Sequence, residues 1–402
     1  MADKTIVVTG ISAVTPLDNG RGVDAFWQGL CRGDNGLKAI ESIDVKGFEC
    51  QVGGELVGLE KHLKGLVPDD HSRAVKLFTL AVKQIVEDSG ILGNVGRVGI
   101  CCGSVLGCID LEEQYLEKAF FTDKKKDHKL LKGSSMQAVP GFVAELFNFK
   151  GPNFSLNTAC SSSSDAVLLA ANEIRNGRAD IMLAGGVEIL SEFLFRGFSA
   201  IGALTKDGKV RPFDKNRTGL AVSEGAGVLV LEEKKHALAR NADIYCTLAG
   251  ESSTIDAYHL VRPHAEGKGL ARAISEAISN ARVQPRDIDY ICAHGTGTHH
   301  NDLAETKAIK LAFGEDSKSP KISAIKSMIG HTMGASAVLG AICCIKAIKD
   351  NIIPATINYK TPDIDCDLNY VTEGSCETKV NMAMVQAAGF GGQNSVLIFK
   401  EE

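Results

Sequence analysis

The chain has 402 residues, a formal net charge of −5, and ordinary fractions of apolar (44%) and charged (23%) residues. This length allows two units that each bury a core, and the composition is typical of a soluble globular protein. The negative charge disfavours a general nucleic-acid or membrane-surface role, because such proteins usually carry a basic excess.

Short β-branched runs alternate with longer helical patterns along the chain, which predicts a layered α/β architecture. A charged segment at residues 232–236 suggests a junction near residue 240. Strands are predicted at residues 6–8, 98–102, 181–184, 228–231, 245–248, 290–293, 322–325 and 396–399. Helices are predicted at residues 73–89, 162–176, 269–281 and 335–350. The longest apolar stretch, residues 335–345, is too short to span a bilayer, so no membrane insertion is expected.

A cysteine precedes the predicted helix 162–176. Asn157-Thr158-Ala159-Cys160 runs into four serines that can cap this helix, and Asp165 falls in its first turn. Backbone N–H groups and the helix dipole stabilise a thiolate at such a position, which predicts a thiol pKa below its free value of about 8.5. Taken alone, Cys160 fits a reactive nucleophile and a small buried residue equally well.

Two histidines follow predicted strands in the second half of the chain. His294 comes after the run 290–293 and opens a Gly/Thr loop, whereas His331 lies between the strand 322–325 and a helix rich in small residues. A nucleophilic cysteine needs a partner base or electrophile, usually a histidine from far along the chain. Each histidine alone would more often be structural, but loops at strand ends collect the active-site residues of α/β proteins.

A glycine-rich loop precedes the last predicted strand. In Ala388-Gly389-Phe390-Gly391-Gly392-Gln393-Asn394 the glycines permit a tight backbone turn that side chains would forbid. Such a turn can aim backbone N–H groups at a developing oxyanion. Considered by itself, the segment is more often an ordinary glycine-rich loop that leads into an edge strand.

These four segments, in this order, resemble those of the β-ketoacyl-acyl carrier protein synthases, specifically the type II condensing enzymes of the thiolase superfamily. The likeness also includes residues 5–11, 184–188, 211–214 and 223–227, so it extends over essentially the whole chain. The resemblance implies a thiolase-like five-layered α-β-α-β-α sandwich built from two similar halves. Residues 1–240 would carry the nucleophile and residues 241–402 the two histidines.

The resemblance implies a decarboxylative Claisen condensation. An acyl group passes from the phosphopantetheine arm of an acyl carrier protein to Cys160, and a malonyl-carrier thioester then enters and loses carbon dioxide. His294 and His331 stabilise the charge on the malonyl thioester oxygen, and the enolate attacks the Cys160 thioester. Backbone N–H groups of Cys160 and Phe390 form the oxyanion hole. The carrier arm is a substrate carrier, and no permanently bound cofactor and no metal are implied.

Further site residues are implied position by position. Lys326 and Glu305 match a lysine and an acid expected to pair and to order the two histidine loops. The implied substrate-binding residues are Thr296 and Thr298 for the pantetheine arm, Leu106, Phe198 and Phe390 for the acyl tunnel and its gate, and Arg262 for the pantetheine phosphate.

The expected carrier-docking surface departs from the family pattern. Asp69 and Asp70 stand where a basic cluster is usual, and Gly202 replaces a basic residue. Because carrier proteins are acidic, docking is expected to use Lys206 and Lys209, a different surface, or another subunit. These departures suggest a specialised synthase.

Three alternative functions were compared with catalysis of this kind. A metal site at His294, His299 and His300 lacks a Cys or acid at ligand spacing. A thiolase would carry a second catalytic cysteine in the glycine-rich loop, and residues 387–394 contain none. A non-catalytic partner subunit of the chain-length-factor kind usually lacks the nucleophile, whereas this chain has Cys160. A condensing enzyme is therefore favoured.

Assembly and location are also expected from the resemblance and the composition. Family members bury a large interface along a central strand, which implies a homodimer or a heterodimer with a related ketosynthase-like subunit. Twelve cysteines without a secretory leader predict reduced thiols and a cytoplasmic location. Acyl chain length, saturation and the choice between fatty-acid, polyene and polyketide pathways depend on tunnel depth, which side-chain identity does not determine.

Overall fold

The computed structural model describes residues 4–93, 95–120 and 127–402. In these ranges the strands are β1 (Ile6–Val14), β2 (Lys38–Ala39), β3 (Val52–Gly53), β4 (Val98–Gly103), β5 (Asn153–Leu156), β6 (Ile181–Glu188), β7 (Gly225–Glu233), β8 (Cys246–Ile255), β9 (Tyr290–Cys292), β10 (Lys321–Ser323), β11 (Ile352–Ile353), β12 (Cys376–Glu377), β13 (Met382–Ala388) and β14 (Gln393–Lys400). The α-helices are α1 (Val23–Arg32), α2 (Glu60–Leu63), α3 (Arg73–Ser89), α4 (Ile109–Phe120), α5 (Ala138–Phe147), α6 (Ser162–Arg175), α7 (Glu192–Ala200), α8 (Lys234–Ala239), α9 (Lys268–Ala281), α10 (His299–Phe313), α11 (Lys326–Ile329) and α12 (Ser336–Asp350).

The main sheet consists of two halves with the same topology. Its strand order in the described residues is β10-β9-β13-β14-β8-β1-β7-β6-β4-β5. Counted outward from β1 or from β8, each half has two antiparallel pairings followed by two parallel ones. Strands β1 and β8 connect the two halves of the sheet through the residue pairs Val7 with Thr247 and Val8 with Cys246. The chain is therefore an internal duplication that is visible in strand order and direction.

Two buried helices lie between the halves of the sheet. Helix α6 packs on β4 and β6 of the first half and also on β8 and β14 of the second, and α12 packs on β9 and β13 as well as on β1 and β7. Because each helix contacts both halves of the sheet, both are buried around most of their circumference. Helices α3 and α5 cover the outer face of one half, and α9, backed by α10, covers the other. The predicted five-layered thiolase-like sandwich is confirmed.

Most elements begin and end close to their predicted positions, and the differences have local causes. The predicted helix 73–89 is α3, and 162–176 is α6 with one residue fewer. The strand predicted at 322–325 ends at Ser323, because the next residues turn into the short helix α11. The strand predicted at 245–248 continues to Ile255, since β14 pairs with the small polar residues that follow. The proposed junction at residue 240 falls directly after α8 and stays a prediction.

Parallel strands direct the site-forming loops to the same place in each half. Strands β4, β5 and β6 are mutually parallel, and so are β9, β10 and β13. Their carboxyl ends therefore share one edge in each half, where α/β proteins place ligands. No helix in the described part of the chain is long and apolar enough to cross a bilayer.

Candidate active site

Cys160 lies in the tight turn between β5 and α6. Ala159 has a left-handed φ of 53°, which costs a residue with a Cβ of the order of 1 kcal/mol. Thr158 N donates to Ser162 Oγ (3.0 Å), and Ser162 Oγ donates to Ala159 O (2.5 Å). The hydroxyl of Ser161 donates to the carbonyl of Thr158 (2.8 Å) and does not cap the helix. The serines thus hold the strained turn that presents Cys160 at the start of α6.

The two predicted histidines face Cys160 across the boundary between the halves. The Sγ atom of Cys160 and one ring nitrogen each of His294 and His331 all lie within 4.8 Å of one another. The centroids of the two imidazole rings are 5.2 Å apart, and the ring planes are nearly perpendicular, with an angle of 82° between them. All three side chains are buried. The structure therefore brings together the three residues that the sequence singles out.

Hydrogen bonds at Nδ1 determine which nitrogen of each imidazole ring carries the proton. Nδ1 of His331 accepts from the backbone N–H of Met333 (3.1 Å), and Nδ1 of His294 lies 3.4 Å from the ammonium of Lys326. An imidazole that accepts at Nδ1 and is neutral has its proton on Nε2. Burial, with a smaller contribution from the Lys326 cation, lowers the pKa of both histidines well below the usual 6.5. Each ring is therefore a neutral Nε2–H donor.

This donor pattern also bears on metal binding. Among the described residues, the one cluster with metal-ligand spacing is Cys160, His294 and His331, and it does not include His299 or His300. A metal on Nε2 would move each proton to Nδ1, where it would oppose the N–H of Met333 and the ammonium of Lys326. The arrangement suits hydrogen-bond donation to an oxygen better than metal ligation.

Lys326 and Glu305 hold different parts of His294. Both side chains are buried. Glu305 accepts from the backbone N–H groups of His294 (2.6 Å) and Gly295 (2.8 Å), whereas Lys326 reaches the ring. Burial raises the pKa of Glu305 to about 7 and lowers the pKa of Lys326. In the described structure no ion pair within 4.0 Å joins the two, so they do not form the direct contact that the sequence predicts.

Burial also dominates the acidity of the nucleophile. It raises the pKa of the Cys160 thiol to about 11, against the Lys326 cation and the backbone N–H of Phe390, which lower it. The lowered pKa predicted from the helix N-terminus is wrong, because desolvation of the thiolate outweighs these favourable contacts. Cys160 is therefore a neutral thiol at rest, and its proton must leave when the sulfur attacks.

The glycine-rich loop between β13 and β14 closes against Cys160. A Cβ atom on Gly389 would lie 3.0 Å from the backbone nitrogen of Cys160 and 3.2 Å from Thr158 O, so only glycine fits without displacement. The next residue, Phe390, directs its backbone N–H at the Cys160 sulfur, which also meets its own backbone N–H. Two backbone N–H groups thus lie beside the sulfur, near the place where the carbonyl oxygen of an acyl group bound to Cys160 would lie.

A cavity of about 530 Å³ opens onto the three central residues. The Thr296 and Thr298 hydroxyls in its wall are 2.9 Å apart, and the rings of Phe198 and Phe390 stack at 5.5 Å. Predicted substrate-binding residues in its wall are Phe198, Arg262, Thr296, Thr298 and Phe390. Other residues of the wall, to which the sequence assigned no substrate contact, include Asp256, His299, His300, Asn301 and Asn394.

Leu106 lies apart from this cavity. It packs on a separate apolar cluster that contains Cys160, Leu190, Leu194 and Phe195. The side of Cys160 that faces Leu106 is therefore a packed apolar wall, whereas the open cavity lies on the side of the two histidines.

Two further groups of residues complete the surroundings of the site. Glu188 is fully buried and accepts three backbone N–H groups, but the sequence pattern shows it only as the last residue of an apolar strand. An acid in that position is the signal that could have revealed it, because a buried carboxylate requires hydrogen-bond donors. Lys206 and Lys209, named for carrier docking, are exposed between α7 and β7.

Comparison with protein families identifies the chain. A model of the β-ketoacyl synthase N-terminal domain matches residues 3–237, and a model of the C-terminal domain of the same family matches residues 245–360. The chain belongs to the β-ketoacyl synthase family. It is therefore a condensing enzyme of the acyltransferase class, and the resemblance stated from its motifs is confirmed.

Individual relatives agree with this assignment. The 3-oxoacyl-[acyl-carrier-protein] synthase 2 of Coxiella burnetii is 35% identical and that of Staphylococcus aureus is 34% identical, each over 99% of both chains. Among solved structures, the ishigamide ketosynthase/chain length factor has a TM-score of 0.94 and 34% identity over 100% of both chains. The type II polyketide ketosynthase AntDE, solved in complex with its acyl-carrier protein AntF, has a TM-score of 0.90 and 30% identity over 99% of both chains.

Proposed function

We propose that this β-ketoacyl synthase condenses a malonyl-carrier thioester with an acyl group held on Cys160. The observation that carries the proposal is the meeting of one thiol and two Nε2–H imidazoles within 4.8 Å. A thiol can hold an acyl group as a thioester, and two neutral N–H donors can stabilise an enolate oxygen.

Acyl loading is the first step. The Cys160 sulfur attacks the carbonyl carbon of the carrier thioester, and the bond from that carbon to the carrier sulfur breaks. The proton lost from Cys160 is taken up by the departing carrier sulfur, which leaves as a thiol. The tetrahedral oxyanion is stabilised by the backbone N–H groups of Cys160 and Phe390. The contact of Gly389 with the Cys160 backbone supports this role, because it holds the Phe390 N–H against the sulfur.

Decarboxylation is the second step. His294 and His331 donate from Nε2 to the malonyl thioester oxygen as carbon dioxide leaves, and the resulting enolate attacks the Cys160 thioester. Loss of one such donor typically slows a reaction by about a hundred- to a thousandfold. Lys326 supports the role of His294 by keeping Nδ1 an acceptor, and Glu305 supports it by holding the loop backbone.

The substrate carrier is proposed to be an acyl carrier protein. Thr296 and Thr298 line the cavity and would bind the pantetheine arm, and exposed Arg262 at its rim would bind the arm's phosphate. Phe198 and Phe390 would form the gate, Leu106 would line the acyl side, and Lys206 and Lys209 would contact the acidic carrier. The structure of AntDE with its own carrier protein supports this choice of partner.

A ketosynthase subunit of a heterodimer is the second candidate. The high similarity to the ishigamide ketosynthase/chain length factor favours a chain-length-factor-like partner, and a homodimer is the other arrangement we consider. A non-catalytic role is disfavoured, because the chain has the thiol and both histidines in contact. We further propose a cytoplasmic location, since all twelve cysteines, each in the described residues, are free. Residues 1–240 and 241–402 are proposed as the two halves.

Intact-mass measurement tests acyl loading. The purified chain is incubated with an octanoyl acyl carrier protein beside a Cys160→Ala control. One octanoyl adduct on the wild type and none on the variant supports the proposal. If a folded sample takes no adduct from donors of several lengths, the stand-alone synthase is excluded and a partner subunit must be added.

A further inference from the structure

A single buried carboxylate joins two loops that pack near Cys160. Oε2 of Glu188 accepts from the backbone N–H groups of Val105 (2.8 Å) and Gly334 (3.1 Å). Oε1 accepts from the backbone N–H of Leu106 (3.2 Å), with the Ser104 hydroxyl at 3.4 Å. Within the described residues no cation pairs with Glu188, so backbone donors satisfy its charge.

The two loops have different tasks in the proposed reaction. Leu106, on the loop after β4, packs against the apolar cluster that contains Cys160 and Met333, and in the proposed reaction it lines the acyl side. Gly334 follows Met333, whose backbone N–H donates to Nδ1 of His331. One side chain thus binds both the acyl-side loop and the turn that orients a malonyl-activating histidine.

The packing leaves these loops little freedom to move independently. A Cβ atom on Gly334 would lie 2.7 Å from the Cα of Ser104, and one on Gly186 would lie 2.7 Å from Gly334 O. The carbonyl of Val105 also accepts from the Asn157 side chain (2.9 Å), three residues before Cys160. A displacement of the acyl-side loop is therefore transmitted to its neighbours.

We propose that Glu188 is a positioning residue that holds the acyl-side loop against the His331 turn, so that its bond to Leu106 N–H helps to set which acyl chains Cys160 accepts. The inference rests on the proposed function and deepens it. Burial raises the pKa of Glu188 to about 7, and the hydrogen bonds from the backbone N–H groups of Val105, Gly334 and Leu106 act in the opposite direction and lower it.

The substitution Glu188→Gln distinguishes the effect of Glu188 on the loop that contains Leu106 from its effect on the turn that orients His331. Its amide oxygen is best placed where Val105 and Gly334 both donate, which turns the NH₂ group toward the N–H of Leu106. Two donors then oppose each other at Leu106, while the His331 turn keeps its acceptor. The variant should therefore weaken the binding of the acyl-side loop and leave the rate of decarboxylation nearly unchanged.

The test compares two rates in the wild type and in Glu188→Gln. Cys160 acylation is measured by intact mass with hexanoyl, octanoyl and dodecanoyl carrier thioesters, and malonyl-carrier decarboxylation is measured separately. We expect the ratio of acylation rates between chain lengths to change about three- to tenfold, the scale of one hydrogen bond, with decarboxylation within about threefold of wild type. Asp214→Asn is the matched control, because Asp214 is a buried carboxylate that binds the backbone of residues 360 and 361.

Three outcomes would overturn the inference. One is an unchanged ratio in Glu188→Gln, and another is an equal loss of decarboxylation and of acylation at every chain length, which indicates a merely structural role. If Glu188→Gln does not fold, Glu188→Asp retains both acceptor oxygens but retracts them from both loops. The third outcome that would overturn the inference is a Glu188→Asp variant with wild-type rates of acylation and decarboxylation and a wild-type ratio of acylation rates between chain lengths. Failure of the wild type itself to take any acyl group would instead overturn the proposed function, and the inference with it.

Discussion

The ammonium of Lys326 lies 3.4 Å from Nδ1 of His294, and this contact determines which nitrogen of the imidazole ring carries the proton. A lysine is only a donor, so the ring nitrogen beside it must accept. The proton is thereby held on Nε2. In the proposed reaction Lys326 therefore acts through the tautomer of His294.

Lys326→Met should therefore impair decarboxylation more than acylation. Without the ammonium, the His294 ring can place its proton on Nδ1 and lose its Nε2–H donor, which predicts a loss of about a hundred- to a thousandfold in malonyl decarboxylation. Acylation of Cys160 should fall less, because Lys326 affects the thiol only through its charge. Lys346→Met on α12, which removes an ion pair with Asp350, serves as control. Equal losses in both half-reactions would contradict the tautomer argument.

Gly389→Ala should slow acyl loading. The added Cβ would lie 3.0 Å from the Cys160 backbone nitrogen and 3.2 Å from the Cβ of Ala159, so the loop that carries the Phe390 N–H must move away. Losing one oxyanion donor predicts a reduction of about a hundredfold or more in the acylation rate, followed by intact mass. Gly141→Ala in α5 adds a Cβ that meets no atom within 4 Å and should leave the rate unchanged. A wild-type acylation rate in Gly389→Ala would refute the oxyanion role.

Alkylation of Cys160 should depend steeply on pH. The thiolate is the reactive form, and burial raises the thiol pKa to about 11. The rate of iodoacetamide labelling at the Cys160 peptide should therefore rise about tenfold per pH unit between pH 7 and pH 9.5, with no plateau. A plateau at or below pH 8 would mean that the helix N-terminus controls the pKa after all.

Arg262→Ala should weaken recognition of the carrier arm. Its side chain lines the mouth of the cavity and is exposed, so a contact with the pantetheine phosphate would be worth about three- to tenfold in KM at moderate salt. A thioester of N-acetylcysteamine, which lacks the phosphate, should react equally with both proteins. Arg286→Ala, also exposed but outside the cavity, is the control. An unchanged KM for the carrier thioester would exclude Arg262 from phosphate binding.

Local sequence features predicted the positions of Cys160 and His294, because both residues lie in loops with a distinctive composition. His294 opens a loop with two positive-φ glycines, Gly295 and Gly297, and Cys160 precedes an apolar helix after a run of serines. Such signals are local, so the loops could be predicted without knowledge of the packing. The resemblance to condensing enzymes then supplied the five-layered fold.

The remaining features depend on tertiary distances that no local pattern contains. The raised pKa of Cys160 results from burial, and the contact of Lys326 with the His294 ring joins residues that are 32 positions apart in the chain. Glu188 acts on loops 82 and 146 residues away along the chain. The duplication is also a tertiary feature, because strand order repeats where the residues do not.

The most direct test of the account is the complete condensation. Wild-type protein that carries one octanoyl group on Cys160 is mixed with malonyl acyl carrier protein, and the masses of enzyme and carrier are followed together. The account predicts that the enzyme adduct disappears as carbon dioxide is released and a 3-oxodecanoyl carrier forms, and that His294→Ala and His331→Ala retain the adduct. An adduct that persists on the wild type, with the malonyl carrier unchanged or converted only to acetyl carrier, would contradict the account.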